Sequence, residues 1–233
     1  ISEPTLIRFC KAIGFSGFQE IKINLSQQLA ADDYFKMYEI DENDSTHELC
    51  EKVFDTTISE ILNVRSQIDQ DILESAIEAL VNSERDEFYS FRWTAPVAMD
   101  AQHKFFRLKI PSSFITDPHI QFMSANSLNE NDVVVAISQS GTTSALVNSV
   151  KILRKAGVKV IGIMPGNTPL ANICNYPLTI NVGENNRISK PNTSRIAYTA
   201  VIDVLTMGVA QLKPEAQDHL YNIADSQRSL RIK

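Results

Sequence analysis

Two hydrophobic spacings alternate along the chain from about residue 85 onward. Short runs of apolar, β-branched residues are typical of strands buried on both faces, and each is followed by apolar residues at helical spacing. The runs predict strands at 87–91, 112–115, 132–137, 159–163 and 178–180. The helical stretches lie at 96–108, 118–127, 143–156, 170–173 and 192–211. This alternation predicts an α/β fold, namely a doubly wound five-stranded parallel sheet flanked by helices.

The chain before this region has a different pattern. Residues 2–13 and 18–29 have amphipathic helical spacing, and an acidic polar stretch follows at 39–46. Ser45 and Glu48 have the spacing of a capping box and predict a helix that runs to about residue 64. Asp69 or Asp71 begins the next helix. We therefore expect three parts: a helical segment at 1–35, a linker and connecting helix at 36–68, and the α/β domain at 69–233.

Composition narrows the classes of protein. Of 233 residues, 43% are hydrophobic and 21% are charged, which is typical of a soluble globular protein. We expect a cytoplasmic protein without a membrane partner, because no apolar run approaches the roughly 20 residues of a membrane span and no leader opens the chain. Cys10, Cys50 and Cys174 are far apart and share no ligand spacing with a histidine, so we expect free thiols, no metal site and no cofactor. The net charge of −6 argues against a surface devoted entirely to nucleic acid.

A hydroxyl-rich turn, the hydroxyl loop (residues 138–143), follows the most apolar strand. It consists of Ser138, Gln139, Ser140, Gly141, Thr142 and Thr143. Ligands of parallel sheets bind beyond the carboxyl ends of the strands, and a helix that begins there offers free N–H groups to an anion. The loop therefore suits the phosphate of a small metabolite. The alternative is a purely structural turn, in which Ser140 or Thr142 caps the helix.

The residues ISQSGTT (137–143) resemble the signature loop of the sugar isomerase (SIS) domain, a phosphosugar-binding fold. The resemblance continues through 100–108, 117–128, 166–174 and 194–210, and residues 2–25 resemble the second half of the helix-turn-helix domain of RpiR-type transcriptional regulators. That order of domains is specific to the RpiR family. It implies a partial helix-turn-helix at 1–35, in which Thr5, Arg8 and Lys11 face operator DNA. It also implies a SIS domain in which Ser138, Gln139, Ser140, Gly141 and Thr143 bind a phosphorylated sugar or sugar acid.

The chain departs from the family in two places. The family's first phosphosugar loop has the form Gly-x-Gly-x-Ser, whereas this first loop (residues 90–94) reads Ser-Phe-Arg-Trp-Thr. Ser90 and Thr94 keep hydroxyls and remain candidate ligand residues. Arg92 and Trp93 have three interpretations: Arg92 contacts an anion, both side chains fill the pocket, or both point to solvent. The second departure is that the chain starts about where the recognition helix does, so that Arg8 and Lys11 could instead form an ordinary solvated face.

SIS domains also occur in isomerases, so a catalytic base must be considered. Isomerisation needs a Glu or His near the sugar carbon chain. His103 is expected to be structural and Glu184 a solvated loop acid, while His119 follows Asp117 and Pro118 at a helix start. We therefore expect a sensor without catalysis, a homodimeric regulator of hexose catabolism. Resemblance to one group within the family implies 2-keto-3-deoxy-6-phosphogluconate as the ligand. The alternatives are a phosphosugar isomerase or lyase, and a degenerate SIS module that only dimerises.

Overall fold

The computed structural model describes residues 41, 43–181, 190–216, 219 and 222–223. The chain divides into two compact units, residues 1–60 and 61–233. The predicted helices at 2–13 and 18–29 lie outside the described residues, as do Thr5, Arg8, Lys11 and Glu184.

Helices and strands alternate in the described part of the second unit. The helices are α1 (Thr46–Gln67, which begins in the first unit), α2 (Gln70–Val81), α3 (Ala95–Arg107), α4 (Pro118–Ala125), α5 (Ser144–Lys155) and α6 (Lys190–Leu212). The strands are β1 (Arg85–Ser90), β2 (Ser112–Ile115), β3 (Asp132–Ile137), β4 (Lys159–Met164) and β5 (Tyr176–Thr179). Short 3-10 turns lie at Arg92–Thr94 and Ala171–Ile173.

The five strands form one sheet in the order β2-β1-β3-β4-β5, and every pair is parallel. Ser90 pairs with Ile137, and Ile137 pairs with Ile163, so the carboxyl ends of the three central strands lie at the same edge. The predicted fold class is confirmed. The strand order places the first loop and the hydroxyl loop side by side, because β1 and β3 are neighbours.

Alternate residues of β3 enter two separate cores, one on each face of the sheet. Val133, Val135 and Ile137 pack with residues of α2, α3 and α6. Val134 and Ala136 pack with residues of α4 and α5. All six residues of this strand are buried, as expected for a strand covered by helices on both faces.

The predicted helix starts at Ser45 and Asp69 are confirmed. The backbone N–H of Ser45 donates to the Glu48 carboxylate over 2.9 Å, and that of Glu48 donates back to Oγ of Ser45 over 3.3 Å. Asp69 accepts from the N–H groups of Asp71 and Ile72. Each cap satisfies N–H groups that the first helical turn leaves without partners.

Helix α1 continues to Gln67, beyond the predicted end, and an amide network (Asn63, Gln67 and Asn181) holds this last turn. Nε2 of Gln67 donates to the backbone oxygen of Asn181 over 3.0 Å, and the Asn181 N–H donates back to Oε1 of Gln67 over 2.8 Å. Asn181 Oδ1 accepts from the N–H of Gly166 over 3.0 Å. The end of α1 is thereby tied to the chain that follows β4 and β5.

Several predicted elements in the α/β region differ from the structure by a few residues or by type. β1 spans Arg85–Ser90 rather than 87–91, because Asp86 is buried in the strand although its carboxyl group interrupts the apolar pattern. β5 spans Tyr176–Thr179 rather than 178–180. The helix predicted at 170–173 is only a 3-10 turn.

Helix α6 bears on the expectation that the chain has no membrane partner. Its segment Arg195–Leu212 is long and apolar enough to cross a membrane by length and composition alone. In the structure α6 packs against α2 and α3, and its side chains Ala197, Tyr198 and Ile202 lie in the core. Of this segment 44% is buried, so one face of α6 belongs to the core.

Asp86 is a fully buried carboxyl group near the start of β1. Its Oδ1 lies 2.7 Å from Oγ of Ser83, and its Oδ2 has no hydrogen-bond partner among the described residues. Burial raises the pKa of Asp86 from 3.8 to about 7, against the opposing effects of the Ser83 hydrogen bond and the charge of Lys213. Asp86 is therefore protonated in the folded protein below about pH 7.

We expect this carboxyl group to make folding less favourable as pH rises from about 4 to about 7. In that window the unfolded chain has lost the proton that the folded protein keeps, so stability falls with pH and levels off above the folded pKa. The loss amounts to on the order of 4 kcal/mol for a shift of this size. Urea unfolding of the wild type and Asp86→Asn across this range tests it, because the asparagine variant should lack this contribution. Identical pH profiles would contradict it.

Candidate functional site

A cleft lies between the first loop and the hydroxyl loop, beyond the carboxyl ends of β1 and β3. Its volume is about 610 Å3. The described residues that line it are Phe91, Arg92, Trp93, Thr94, Ile137, Ser138, Gln139, Ser140, Thr143, Leu146 and Pro165. This is where an open parallel sheet binds its ligands.

Hydrogen bonds to its own backbone fix the shape of the hydroxyl loop. The N–H of Ser138 donates to the Ile163 oxygen over 3.0 Å, which ties the loop to β4. Oγ of Ser138 accepts from the N–H of Gly141 over 3.0 Å, and the Gly141 oxygen accepts from Leu170 over 3.1 Å. Gly141 has φ +62°, a conformation that glycine adopts without strain. The Ser138 hydroxyl keeps its own hydrogen available for a ligand.

Helix α5 begins at this loop without a side-chain cap. Its N-cap is Thr143, whose side chain makes no capping hydrogen bond. Oγ of Ser140 instead accepts from the N–H of Thr142, one residue before the cap. The first-turn N–H groups and the positive end of the helix dipole are therefore open to an anion. The alternative interpretation, in which Ser140 or Thr142 caps this helix, does not agree with these hydrogen bonds.

The first loop forms the other wall of the cleft, and a hydrogen bond between its own side chains holds it in place. Oγ of Ser90 and Oγ1 of Thr94 lie 2.6 Å apart, and both residues are buried. Thr94 Oγ1 also lies 3.3 Å from the oxygen of Ile137, which links the first loop to the end of β3. Between them, Arg92 has φ +52°, in the left-handed region. Arg92 and Trp93 are both exposed at the cleft, and they leave its volume open.

The structure brings most of the predicted ligand residues together. Those that line the cleft are Thr94, Ser138, Gln139, Ser140 and Thr143. Ser90 and Gly141 are buried and do not line it. Ser90 orients Thr94, and Gly141 shapes the turn. Whether any of these residues binds a ligand stays a prediction.

Four cleft residues were not identified from the sequence, namely Phe91, Ile137, Leu146 and Pro165. They supply apolar walls beside the polar loops, a combination common in small-molecule sites. The sequence could have identified Pro165 as a cleft residue, because it directly follows β4 and the carboxyl ends of neighbouring parallel strands share one edge. Leu146 had none, since its periodicity only assigns it to the buried face of a helix.

Arg92 supplies the one charged side chain among the described residues that line the cleft. His119 and His103 are exposed outside the lining. The expectation that His103 is structural was wrong, since its side chain points to solvent on α3. The described lining thus offers hydrogen-bond donors and one cation, without an imidazole or a carboxylate.

The two described cysteines lie outside the cleft and are free, as expected. Cys50 is exposed. Burial raises the pKa of the Cys174 thiol to about 12, so it stays protonated and unreactive at neutral pH.

The sheet order and the hydroxyl loop define a recognised class of domain. Residues 80–208 match the family model of the SIS domain, and residues 1–32 match that of the helix-turn-helix domain of the rpiR family. A solved structure, the NanR protein of Vibrio vulnificus complexed with ManNAc-6P, is similar with a TM-score of 0.74 and 19% identity. The likeness covers 100% of this chain and 83% of that one, and it supports the fold.

Curated relatives carry the comparison further. The HTH-type transcriptional regulator HexR of Pseudomonas aeruginosa is 35% identical over 227 residues, which is 97% of this chain and 80% of that protein. HexR of Escherichia coli is 34% identical over 89% of this chain and 72% of its own length. The chain belongs to the RpiR family of SIS-domain transcriptional regulators, in its HexR-like group. The predicted pairing of the two domains is thereby confirmed, and the chain is a transcriptional regulator.

Proposed function

We propose that the cleft binds a phosphorylated sugar or sugar acid, and that occupancy controls binding of the regulator to operator DNA. The observation that carries this proposal is the uncapped start of α5 beside the hydroxyl loop. Backbone N–H groups and hydroxyls at a helix N-terminus stabilise a phosphate without a fixed positive charge. The apolar walls leave space for the carbon chain of the ligand.

The individual ligand contacts follow from the available donors. Thr143 is half-buried at the cleft, and its hydroxyl has no partner among the described residues. Ser138 and Ser140 already accept backbone N–H groups, so each can donate its hydroxyl hydrogen to a phosphate oxygen. We assign phosphate contacts to these three residues and to Gln139, with Gly141 shaping the loop. Ser90 and Thr94 support the opposite wall.

The family resemblance supports proposals for the remaining parts of the regulator. We propose a partial helix-turn-helix at 1–35 in which Thr5, Arg8 and Lys11 contact operator DNA, a linker and connecting helix at 36–68, and the SIS domain at 69–233. The candidate ligand is 2-keto-3-deoxy-6-phosphogluconate, and the cytoplasm is the expected location. A ligand that binds one arrangement of the regulator more tightly would shift its affinity for DNA.

We further propose that the regulator is a homodimer, as recognition of a palindromic operator requires. Exposed apolar side chains on β2, α3 and α4 support this proposal, because monomeric proteins rarely expose large apolar patches. The most exposed are Phe106 (64%), Phe122 (57%) and Met123 (65%).

The proposal excludes catalysis at the cleft. Aldose–ketose isomerisation needs a carboxylate or imidazole within hydrogen-bond reach of the carbon chain. The described lining contains neither. A coupled turnover assay with sugar phosphates tests this point, and turnover that is lost on changing His119 or Glu184 would favour an isomerase instead.

Ligand binding can be followed directly through Trp93, which lines the cleft and is the single tryptophan of the chain. We expect 2-keto-3-deoxy-6-phosphogluconate to change its fluorescence in a saturable way. Thr143→Val should weaken binding about tenfold or more, because it removes one hydrogen bond to a charged group and keeps the shape of the side chain. The same titration on both proteins provides the measurement.

Ser127→Ala is the matched control for this experiment. It removes an exposed hydroxyl, just beyond the end of α4 and outside the cleft, that donates to the Met123 oxygen. Its ligand affinity should equal that of the wild type. If neither the fluorescence nor a calorimetric titration of the wild type responds to any sugar phosphate, the domain is a dimerisation module and the proposal is wrong.

A further inference from the structure

The first loop carries an arginine where its backbone is strained. Phe91 is extended, with φ −134° and ψ 151°, and the chain then turns sharply at Arg92, with φ +52°. For a residue with a Cβ this conformation costs on the order of 1 kcal/mol or more, and a glycine would remove the cost. Such strain is commonly found at residues that contact ligands.

The side chain of Arg92 is also without an electrostatic partner. It makes no salt bridge or hydrogen bond with another described residue, although the chain has an excess of acidic residues. Elsewhere in the described part, Arg85 lies 3.5 Å from the carboxylate of Asp132, and Lys104 bridges Asp100 and Asp203. The guanidinium of Arg92 thus stays available at the cleft.

The cleft therefore has two chemically different walls. The hydroxyl loop offers neutral donors and the start of a helix, which suit a phosphate. The first loop offers the planar fork of an arginine, which pairs with a carboxylate through two parallel hydrogen bonds. The volume of about 610 Å3 exceeds what one phosphate needs, so a ligand can reach both walls. A molecule with a phosphate at one end and a carboxylate at the other matches this arrangement.

We propose that Arg92 is a specificity-determining residue that makes the cleft prefer phosphorylated sugar acids over neutral sugar phosphates of the same size. The inference rests on the proposed function, since it assumes that the hydroxyl loop holds the phosphate. It adds a named residue and a direction of selectivity. In this arrangement the phosphate supplies the shared part of the affinity, and the guanidinium supplies the part that depends on the carboxylate.

Two ligands that differ at a single carbon test this inference. 6-Phosphogluconate and glucitol 6-phosphate share an open six-carbon chain, its stereochemistry and the phosphate, but the first has a carboxylate where the second has a hydroxymethyl group. Calorimetric titration of the wild type should show a preference for the acid of about tenfold or more. In Arg92→Gln the preference should largely disappear, while affinity for glucitol 6-phosphate stays nearly constant.

Two further variants test whether the loss of selectivity comes from backbone strain or from the change in net charge. Arg92→Gly removes the guanidinium and relieves the left-handed strain, so it should fold at least as well and lose the same selectivity. Arg107→Gln changes the net charge equally at the exposed far end of α3, and its preference should match the wild type. Repeating the titrations at higher salt should leave the wild-type preference in place, because a bidentate contact is screened less than long-range attraction.

Three results would overturn the inference. An equal loss of affinity for both ligands in Arg92→Gln would mean that Arg92 holds the phosphate, and an unchanged preference would mean that it faces solvent. In both cases glucitol 6-phosphate still binds the wild type and is weakened by Thr143→Val, so the proposed function stands. If the wild type binds neither ligand, the inference fails, and the titration with 2-keto-3-deoxy-6-phosphogluconate decides whether the proposed function fails with it.

Discussion

Replacing Gly141 with alanine is expected to lower the free energy of unfolding by about 2–4 kcal/mol and to abolish ligand binding at the cleft. An alanine Cβ would lie 2.3 Å from Oγ1 of Thr168 and 2.6 Å from its Cβ. Thr168 cannot move away easily, because it is buried, its hydroxyl donates to the Pro165 oxygen and it accepts from the N–H of Ala171. The φ of +62° adds strain for any residue with a Cβ.

Urea unfolding measures the loss of stability, and Trp93 fluorescence measures binding. Gly166→Ala is the matched control, because it places a methyl group in the adjacent turn where the nearest atoms are 3.8 Å away. That variant should unfold within about 1 kcal/mol of the wild type. Equal stability of the two alanine variants would contradict this prediction. It would show that the hydroxyl loop can change its backbone to accept a Cβ beside Thr168.

Phe105→Ala is expected to cost about 3–5 kcal/mol of stability, the largest loss we expect from a single core substitution. The ring is fully buried in the core that packs α3 against the sheet, and it contacts Phe88 edge-on with ring centroids 5.1 Å apart. Truncation removes this contact and leaves a cavity that the surrounding core fills only in part. For a domain with a stability of about 5–15 kcal/mol, a large fraction of the folding free energy would be lost.

The neighbouring Phe106 provides the control for the same chemical change. Its ring is 64% exposed, so Phe106→Ala should alter unfolding of the protomer by less than about 1 kcal/mol. Sedimentation of both variants separates folding from assembly, since Phe106 belongs to the apolar surface assigned to the homodimer. Equal destabilisation by the two substitutions, at a protein concentration where the chain is monomeric, would contradict the assignment of Phe105 to the core.

The sequence was sufficient to predict the sheet but not its exact ends. Apolar β-branched runs such as Val133–Ile137 identify central strands because both faces of a parallel sheet are buried. The start of β1 was missed because Arg85 and Asp86 have the composition of a loop. Asp86 is buried beside the nearby hydroxyl of Ser83, and Glu87 beside that of Ser124, which is 37 residues away and comes close only in the folded chain.

The same limit applies to the site. The hydroxyl loop could be located from local residues alone, since a buried strand followed by serines, a glycine and a helix defines it. The contact of Ser90 with Thr94 and the conformation of Arg92 could not, because both depend on how the first loop turns above the sheet. The amide network could not be predicted from the sequence either. Gln67 and Asn181 are 114 residues apart, and an amide side chain has no partner preference that a sequence reveals.

The anchoring of the hydroxyl loop has a consequence for the protein as it is synthesised. Chain growth proceeds from the N-terminus, so the walls of the cleft, at residues 90–94 and 138–143, leave the ribosome before the residues that fix them. The Ser138 N–H donates to the oxygen of Ile163, and the Gly141 oxygen accepts from the N–H of Leu170. Both partners are synthesised after the loop. A nascent chain that ends before β4 therefore carries every ligand-contacting residue assigned here and still lacks the loop geometry. The ability to respond to a metabolite arises late in translation, after the DNA-binding segment has emerged.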